Sequence, residues 1–220
     1  MFSTLSLLPP LLEGLVITVK LTAGGAVVAF AMSFAAGLAR ISGRWWLSYP
    51  ALAYIDVFRG TSALVQLFWA YFALPLIGVR LDAMTAGIVV LGLNIGSYGA
   101  EIVRGAILAV PQEQWEAAMA LNFSSRQAMW RIILPQALVA MLPPFGNLLI
   151  ELLKSTALVS LITLSELTFQ GQLLRSATLR SAETLMMTLI LYFVTAQLLA
   201  FMMRAMERRL TSGMDHGGIK

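Results

Sequence analysis

Five long apolar runs restrict the folds that this chain can adopt. Each is bounded by charged or turn-forming residues, and they cover approximately residues 11–38, 53–78, 84–108, 133–153 and 182–204. The hydrocarbon core of a bilayer is about 30 Å thick and is crossed by a helix of about 20 apolar residues. The runs therefore predict an all-α, polytopic membrane protein with about five transmembrane helices.

The composition agrees with this class and argues against several others. Of the 220 residues, 59% are hydrophobic and 12% are charged, whereas soluble domains carry about 25% charged residues. The chain has no Cys, and its single His216 and three well-separated Asp residues cannot assemble a metal or catalytic cluster. We therefore expect no catalytic residue, cofactor or metal, and an intramembrane enzyme is disfavoured. Because the cations are scattered, we expect a lipid bilayer and no nucleic acid as partner.

The distribution of cations predicts the orientation. Five spans place the termini on opposite sides, and cytoplasmic connections carry the excess of Lys and Arg. One set of connections has nine cations, namely Arg40, Arg44, Arg104, Arg126, Arg131, Arg204, Arg208, Arg209 and Lys220. The other set has four, namely Arg80, Lys154, Arg175 and Arg180. We therefore expect an extracytoplasmic N-terminus and a cytoplasmic C-terminus.

The same pattern predicts the domain organisation. We expect one transmembrane domain over residues 1–210, with a cytoplasmic loop at about 111–135 and a cytoplasmic tail at 211–220. The stretch 155–183, between the last two runs, mixes Ser, Thr, Gln and Gly with apolar residues. We interpret it as a short re-entrant or interfacial helical segment.

The cytoplasmic loop has the signals of a helix–turn–helix. Pro111 suits the first turn of a helix that continues to Leu121, and Asn122 tolerates the left-handed conformation that ends a helix. Ser124 with Gln127 forms a capping-box pattern that starts a second short helix, which Pro135 limits.

Several apolar side chains of this loop are expected at its surface. They are Trp115, Leu121, Phe123, Met129 and Trp130. Such a surface favours docking of a partner protein, and packing back onto the membrane helices explains it equally well.

The loop resembles the EAA loop of ABC-importer permeases, in which EAA is followed by three residues, Gly, nine residues and I-x-L-P. The spacing is identical here, with Asn in place of Gly. The matching residues are Glu116, Ala117, Ala118, Asn122, Ile132, Leu134 and Pro135. The stretches VFRGTSALVQLFWAYFALP, SYGAEIVRGAILAVP and LLKSTALVS are similar to the polar amino acid subfamily.

This resemblance implies a type I ABC importer permease (MetI-like) architecture in a bacterial inner membrane. It implies a path for a polar amino acid or a related zwitterionic compatible solute such as ectoine. The implied partners are a second permease subunit, identical or paralogous, two cytoplasmic ATPases and an extracytoplasmic solute-binding protein. The EAA loop would couple the ATPases to the permease. Independently, the sequence lacks the G-x-x-x-x-G-K-[ST] phosphate loop, so we expect ATP hydrolysis by a separate subunit.

Two helix faces are candidates for the translocation path. At 100° per residue, Asn94, Ser97, Tyr98, Glu101 and Arg104 fall within about 120° of one another. A glycine face opposite them, with Gly92 and Gly96, allows close helix packing. The alternative for Glu101 and Arg104 is a structural ion pair.

The second candidate face lies in the fourth run. Asn147, Glu151 and Lys154 share one face there, after Pro143 and Pro144, which are expected to break the helix. The alternative is that Glu151 and Lys154 neutralise each other. A secondary transporter or a channel subunit for small polar solutes remains the alternative function, although ion-coupling residues and an internal repeat are not evident.

Overall fold

The computed structural model describes residues 7–211, with side chains described to residue 209. The α-helices are α1 (Leu8–Ile41), α2 (Trp45–Gly60), α3 (Ala63–Phe68), α4 (Ala83–Leu108), α5 (Gln112–Ala120), α6 (Ser125–Ala128), α7 (Leu134–Ser155), α8 (Leu167–Thr178) and α9 (Ser181–Thr211). A π-helical turn (Trp69–Ala73) and a 3₁₀ turn (Leu74–Ile77) extend α3. A second π-helical turn (Met129–Ile133) joins α6 to α7, and a 3₁₀ turn (Thr156–Ile162) follows α7.

The centre of the bundle is the contact between α1 and α4. A Cβ atom added to Gly92 would lie 2.6 Å from Val28 Cβ, and one added to Gly99 would lie 2.0 Å from Ser33 Oγ. Backbones come this close in membranes only where small residues line the interface. The glycine face expected of the third apolar run is confirmed.

The direction of this contact fixes the path of the chain between the two helices. Gly87 of α4 meets Leu21 of α1, and Val103 of α4 meets Gly37 of α1, so the two helices run in the same direction. The intervening residues must therefore return the chain to the side where α1 begins. Four single helices are long and apolar enough to cross a bilayer, and α2 with the extended α3, taken together as one bent span, is the candidate for the fifth crossing.

This fifth crossing differs from the straight helix expected at 53–78. It begins at Trp45 and is bent by 105° between Gly60 and Ala63. Thr61 and Ser62 at the bend have extended backbones, with ψ of 153° and 131°, and the Thr61 hydroxyl donates to the carbonyl of Val57 (2.7 Å). Gly60 lacks the side chain that would favour a helical backbone, and Thr61 is β-branched, so the helix ends here.

The helix from Ser125 to Ile162 is longer than the sequence predicts. Pro135 does not limit a short helix, and Pro143 and Pro144 lie inside α7 without breaking it. Both expectations are wrong. The π-helical turn Met129–Ile133 ends two residues before Pro135, and its wider geometry accommodates a residue that lacks the N–H group.

The segment between α7 and α9 contains the short helix that the sequence predicts, α8. Its N-cap is Glu166, a fully buried carboxylate that accepts the backbone N–H groups of Thr168 (2.9 Å) and Phe169 (2.8 Å). The Tyr192 hydroxyl of α9 donates to the same carboxylate (2.8 Å), and the Thr18 hydroxyl of α1 accepts the N–H group of Leu167 (3.1 Å). Polar groups therefore hold α8 between α1 and α9.

Candidate coupling loop and translocation path

The turn after α5 has the geometry that the sequence predicts. Pro111 is the N-cap of α5, and Asn122 has φ of 57°. The N–H group of Phe123 donates to the carbonyl of Ala118 (3.1 Å), and that of Asn122 donates to Met119 (2.9 Å). These bonds satisfy the last carbonyl groups of α5 in the way typical of a left-handed helix end.

The start of α6 is the predicted capping box. The Ser124 hydroxyl accepts the N–H group of Gln127, and the Gln127 side chain accepts the N–H group of Ser124 (2.9 Å). This reciprocal pair satisfies two helix-end donors. The side chain of Gln136 also donates to that of Gln114 (3.3 Å) and ties α5 to the start of α7.

The two explanations offered for the apolar side chains of the loop both apply, to different residues. Trp115, Met129 and Ile132 pack, half-buried, against a cluster at the ends of α1 and α4 that contains Leu134. Ala118 is fully buried, and Phe123 is half-buried. Leu121 and Trp130 point outward, with 71% and 57% of their surfaces exposed, and so do Glu116, Ala117, Met119 and Pro135. The loop is therefore anchored by one face and presents the other.

The polar stripe of α4 is only partly open. Ser97 is fully buried, and its hydroxyl donates to the Asn94 carbonyl (2.6 Å). The Asn94 amide donates to the Phe58 carbonyl (3.0 Å) and to the Gln66 side chain (3.1 Å). Ser97 and Asn94 are therefore both buried in this conformation. The Asn94 amide instead supplies a hydrogen-bond donor to the Phe58 carbonyl beside the bend after α2.

The outer part of the stripe is half-buried. The Glu101 carboxylate and the Arg104 guanidinium form an ion pair at 3.0 Å, and both side chains remain partly exposed. The guanidinium of the exposed Arg59 lies 5.2 Å from the centroid of the Tyr98 ring. Cation–π contacts of this kind hold a cation in place without neutralising it.

The polar face of α7 is open. Asn147, Glu151 and Lys154 are all exposed, and none of them has a hydrogen bond or an ion pair within the part of the chain that the structure describes. The mutual neutralisation of Glu151 and Lys154 is therefore not observed. The opposite face of α7 packs in the core through Leu148 and Leu152.

Two clefts border α7. One, of about 750 Å³, lies between α1, α7 and α9 and is lined by apolar side chains and by Ser33, whose hydroxyl donates to the Ala29 carbonyl (2.6 Å). The other, of about 410 Å³, lies between α7 and α9 and has Lys154, Tyr192 and Gln197 among its lining residues. Only the second offers a cation and an amide to a polar solute.

Sequence reasoning missed two polar centres. One is the network of Gln66 with Asn94 at the bend, and the other is Glu166. The four consecutive residues RGTS inside the second apolar run are the signal that could have revealed the bend. An acidic residue just before an apolar helical stretch is the signal for Glu166, because carboxylates favour N-caps.

Comparison with known proteins agrees with this geometry. The chain is 47% identical over 215 residues to a probable amino-acid ABC transporter permease protein, y4tF, of Sinorhizobium fredii, covering 95% of this chain and 90% of the relative. It is 38% identical over 205 residues to the glutamine transport system permease protein GlnP of Escherichia coli, covering 92% and 94%.

Solved structures have the same fold. A crystal structure of an amino acid ABC transporter with histidines is 35% identical and matches with a TM-score of 0.87 over 95% of this chain and 99% of that one. The MetNI methionine ABC transporter, in an inward-facing conformation, matches in fold with a TM-score of 0.79 over 93% and 98%, at 21% identity. The family model for the inner membrane component of binding-protein-dependent transport systems matches residues 28–212. The chain therefore belongs to the family of binding-protein-dependent transport system inner membrane components.

Proposed function

We propose that this chain is the permease subunit of an ABC importer for an amino acid. The family match and the amino-acid permease relatives support this function. The observation that carries the proposal within the molecule is the outward face of the α5–α6 turn. Exposed apolar side chains beside an anchored short helix are suited to a partner protein. Ectoine and the secondary-transporter alternative gain no support from these relatives.

The partner at this turn is a cytoplasmic ATPase, and a solute-binding protein delivers the solute from the other side. Glu116 and Ala117, with Met119 and Leu121, form the contact surface. The remaining residues of the EAA pattern have other roles: Ala118, Ile132 and Leu134 anchor the turn, Asn122 shapes it, and Pro135 lies in the first turn of α7. Two permease subunits and two ATPases make up the importer.

The translocation path lies along the polar face of α7. An exposed carboxylate at bilayer depth costs several kcal/mol in lipid, so Asn147 and Glu151 face a second permease subunit across a polar space. Tyr98 and Glu101 border this space from α4. Asn94 and Ser97 support the bent crossing behind it.

Reconstitution tests the proposal. The chain would be purified with its ATPase and its binding protein and placed in liposomes, and uptake of each of the twenty radiolabelled L-amino acids would be measured with and without ATP. We expect ATP-dependent uptake of at least one amino acid. Uptake by the chain without the ATPase, or uptake of none by the full complex, contradicts the proposal.

A further inference from the structure

The turn between α1 and α2 carries two arginine residues and three exposed aromatic side chains. Arg40 lies in the last turn of α1, and Arg44 is the N-cap of α2. Trp45, Trp46 and Tyr49 follow in the first turns of α2, with 73%, 54% and 66% of their surfaces exposed. Because α1 is long and apolar enough to cross a bilayer and α2 starts the bent span that follows, the turn lies where the hydrocarbon meets the lipid headgroups.

The protein does not neutralise either guanidinium group of this turn. The segment 40–50 contains no Asp or Glu, and within residues 7–209 neither Arg40 nor Arg44 forms an ion pair. The Nη1 group of the half-buried Arg40 donates to the Ser48 hydroxyl (3.1 Å), whereas its Nε group is buried without an acceptor among these residues. Partial burial of a cation without a counter-charge is costly, so an anion at the exposed part of the guanidinium stabilises the turn.

The geometry of the turn suits a phosphate group. Gly43 has φ of 66°, and the hydrogen bond from Arg40 to Ser48 joins the end of α1 to the start of α2. The helix α2 begins without a side-chain cap, and the free N–H groups at a helix start attract anions. The Arg44 guanidinium lies 5.8 Å from the centroid of the Trp46 ring, which orients the cation and leaves its charge available. Paired N–H donors of arginine match the oxygens of a phosphate.

The aromatic side chains indicate that this phosphate belongs to a lipid. Trp and Tyr concentrate at membrane–water interfaces, because the ring is apolar and one end is polar. Three of them next to two cations give both parts of a phospholipid a partner. A zwitterionic headgroup also brings an ammonium group, which finds no carboxylate in the segment 40–50 and is repelled by Arg44. The turn therefore favours a headgroup with a net negative charge.

We propose that the α1–α2 turn is a binding site for one anionic phospholipid. The guanidinium groups of Arg40 and Arg44 bind the headgroup phosphate at the start of α2, and the acyl chains lie against the exposed aromatic rings. The site shares no residue with the translocation path or the coupling loop, and it does not depend on which solute is transported. It fixes the depth of this turn in one leaflet of the membrane.

Native mass spectrometry of the full chain, in the assembly in which it is purified, tests the site. The probes are phosphatidylglycerol and phosphatidylethanolamine with identical acyl chains, added in detergent at equal concentrations. We expect a preference for phosphatidylglycerol of about tenfold or more, because each arginine near the surface contributes about fivefold for an anionic lipid. Arg40→Gln and Arg44→Gln should each lower the preference by about fivefold, and Arg40→Lys and Arg44→Lys should retain most of it.

Two exposed arginine residues provide matched controls. Arg126→Gln in α6 removes a charge from the side of the bundle on which α1 ends, and Arg80→Gln removes one from the opposite side; neither should change the preference. The Tm of each variant verifies folding. The proposal is overturned if wild type does not prefer phosphatidylglycerol or if Arg44→Gln, at an exposed position, keeps the full preference. It is also overturned if the controls lower the preference as much as the site variants, because the attraction is then to the total charge.

Two other occupants of the turn are distinguished in the same preparation. A site for free phosphate predicts that glycerol phosphate, which lacks acyl chains, displaces phosphatidylglycerol at equal concentration, whereas we expect no displacement. A contact with the ATPase predicts that Arg44→Gln and Trp46→Ala lower the amount of ATPase that co-purifies and leave the lipid preference unchanged. Either result overturns the proposal.

Discussion

Asn122 and Ser97 show which single residues local sequence can and cannot predict. Asn122 has φ of 57°, a conformation that costs most residues about 1–2 kcal/mol and that Gly and Asn adopt more readily. The resemblance to the EAA pattern, together with the known tolerance of Asn, was sufficient to predict it. The burial of Ser97 and Asn94 could not be predicted, because it depends on a bend in another helix.

Substitution of Asn122 tests the turn. Asn122→Gly should be tolerated, whereas Asn122→Val should destabilise the turn by roughly 1–2 kcal/mol. The Val variant should also uncouple ATP hydrolysis from uptake, so that ATP is hydrolysed with little solute uptake. The measurements are complex yield, ATPase rate and uptake in liposomes. Normal assembly and uptake by the Val variant would show that the turn does not couple the two activities.

The Glu101–Arg104 ion pair is tested by a double-mutant cycle. The pair is half-buried, so removal of one partner leaves a charge in a poor environment. If the pair is only structural, Glu101→Gln and Arg104→Gln each reduce complex yield, and the double variant recovers yield and uptake together. We expect instead that Glu101→Gln reduces uptake more than yield, and that the double variant does not recover uptake.

At the scale of the elements, apolar periodicity predicted every long helix but not where helices bend or continue. The bend at Thr61 and Ser62 is short compared with the apolar run around it, and the Phe58 carbonyl beside it accepts from Gln66, eight residues along the chain, and from Asn94 of α4. Pro135 is tolerated because the π-helical turn precedes it. Both outcomes depend on tertiary packing, which local sequence signals do not contain.

The attachment of α8 gives an element-scale prediction. Glu166→Ala leaves two backbone N–H groups without their acceptor, and each buried unsatisfied group costs about 1–3 kcal/mol; the Tyr192 hydroxyl keeps its hydrogen bond with the Thr168 hydroxyl (2.9 Å). We expect a clear fall in the Tm of the purified protein and a smaller fall for Tyr192→Phe. Because both residues share one network, the double variant Glu166→Ala/Tyr192→Phe should lose less than the sum. Strict additivity, or an unchanged Tm for Glu166→Ala, would contradict the anchoring role.

For the whole molecule, the number of crossings was predictable because apolar length and bilayer thickness are directly related. Parallel packing of α1 and α4 independently requires a return crossing between them. The orientation in the membrane remains a prediction from the cations. Of the positions suited to testing it, Ser42, Asp82, Ser125 and Ser176 are exposed, whereas Ser212, His216 and the tail after Thr211 lie outside the described residues.

Cysteine labelling tests the orientation, since the chain has no native Cys. Single Cys residues at Ser42 and Ser125 should resist a membrane-impermeant thiol reagent in intact cells and react after permeabilisation. Cys at Asp82 or Ser176 should react in intact cells. The Asp82 side chain also caps α4 by accepting the N–H group of Thr85 (3.0 Å), so its substitution removes this cap. Arg80→Cys, on the same loop, is therefore the matched control. The reverse labelling pattern would show that the orientation is opposite to the predicted one.

The continuity of the helix from Ser125 to Ile162 has a mechanical consequence. Its 38 residues correspond to a rod about 57 Å long at about 1.5 Å per residue, with the turn between α5 and α6, our proposed ATPase contact, at one end and Glu151 in its far third. A tilt of about 5° pivoting at one end of such a rod moves the other end by about 5 Å. Force applied at the turn therefore reaches the charged face of α7 as a lever motion, without a hinge in between.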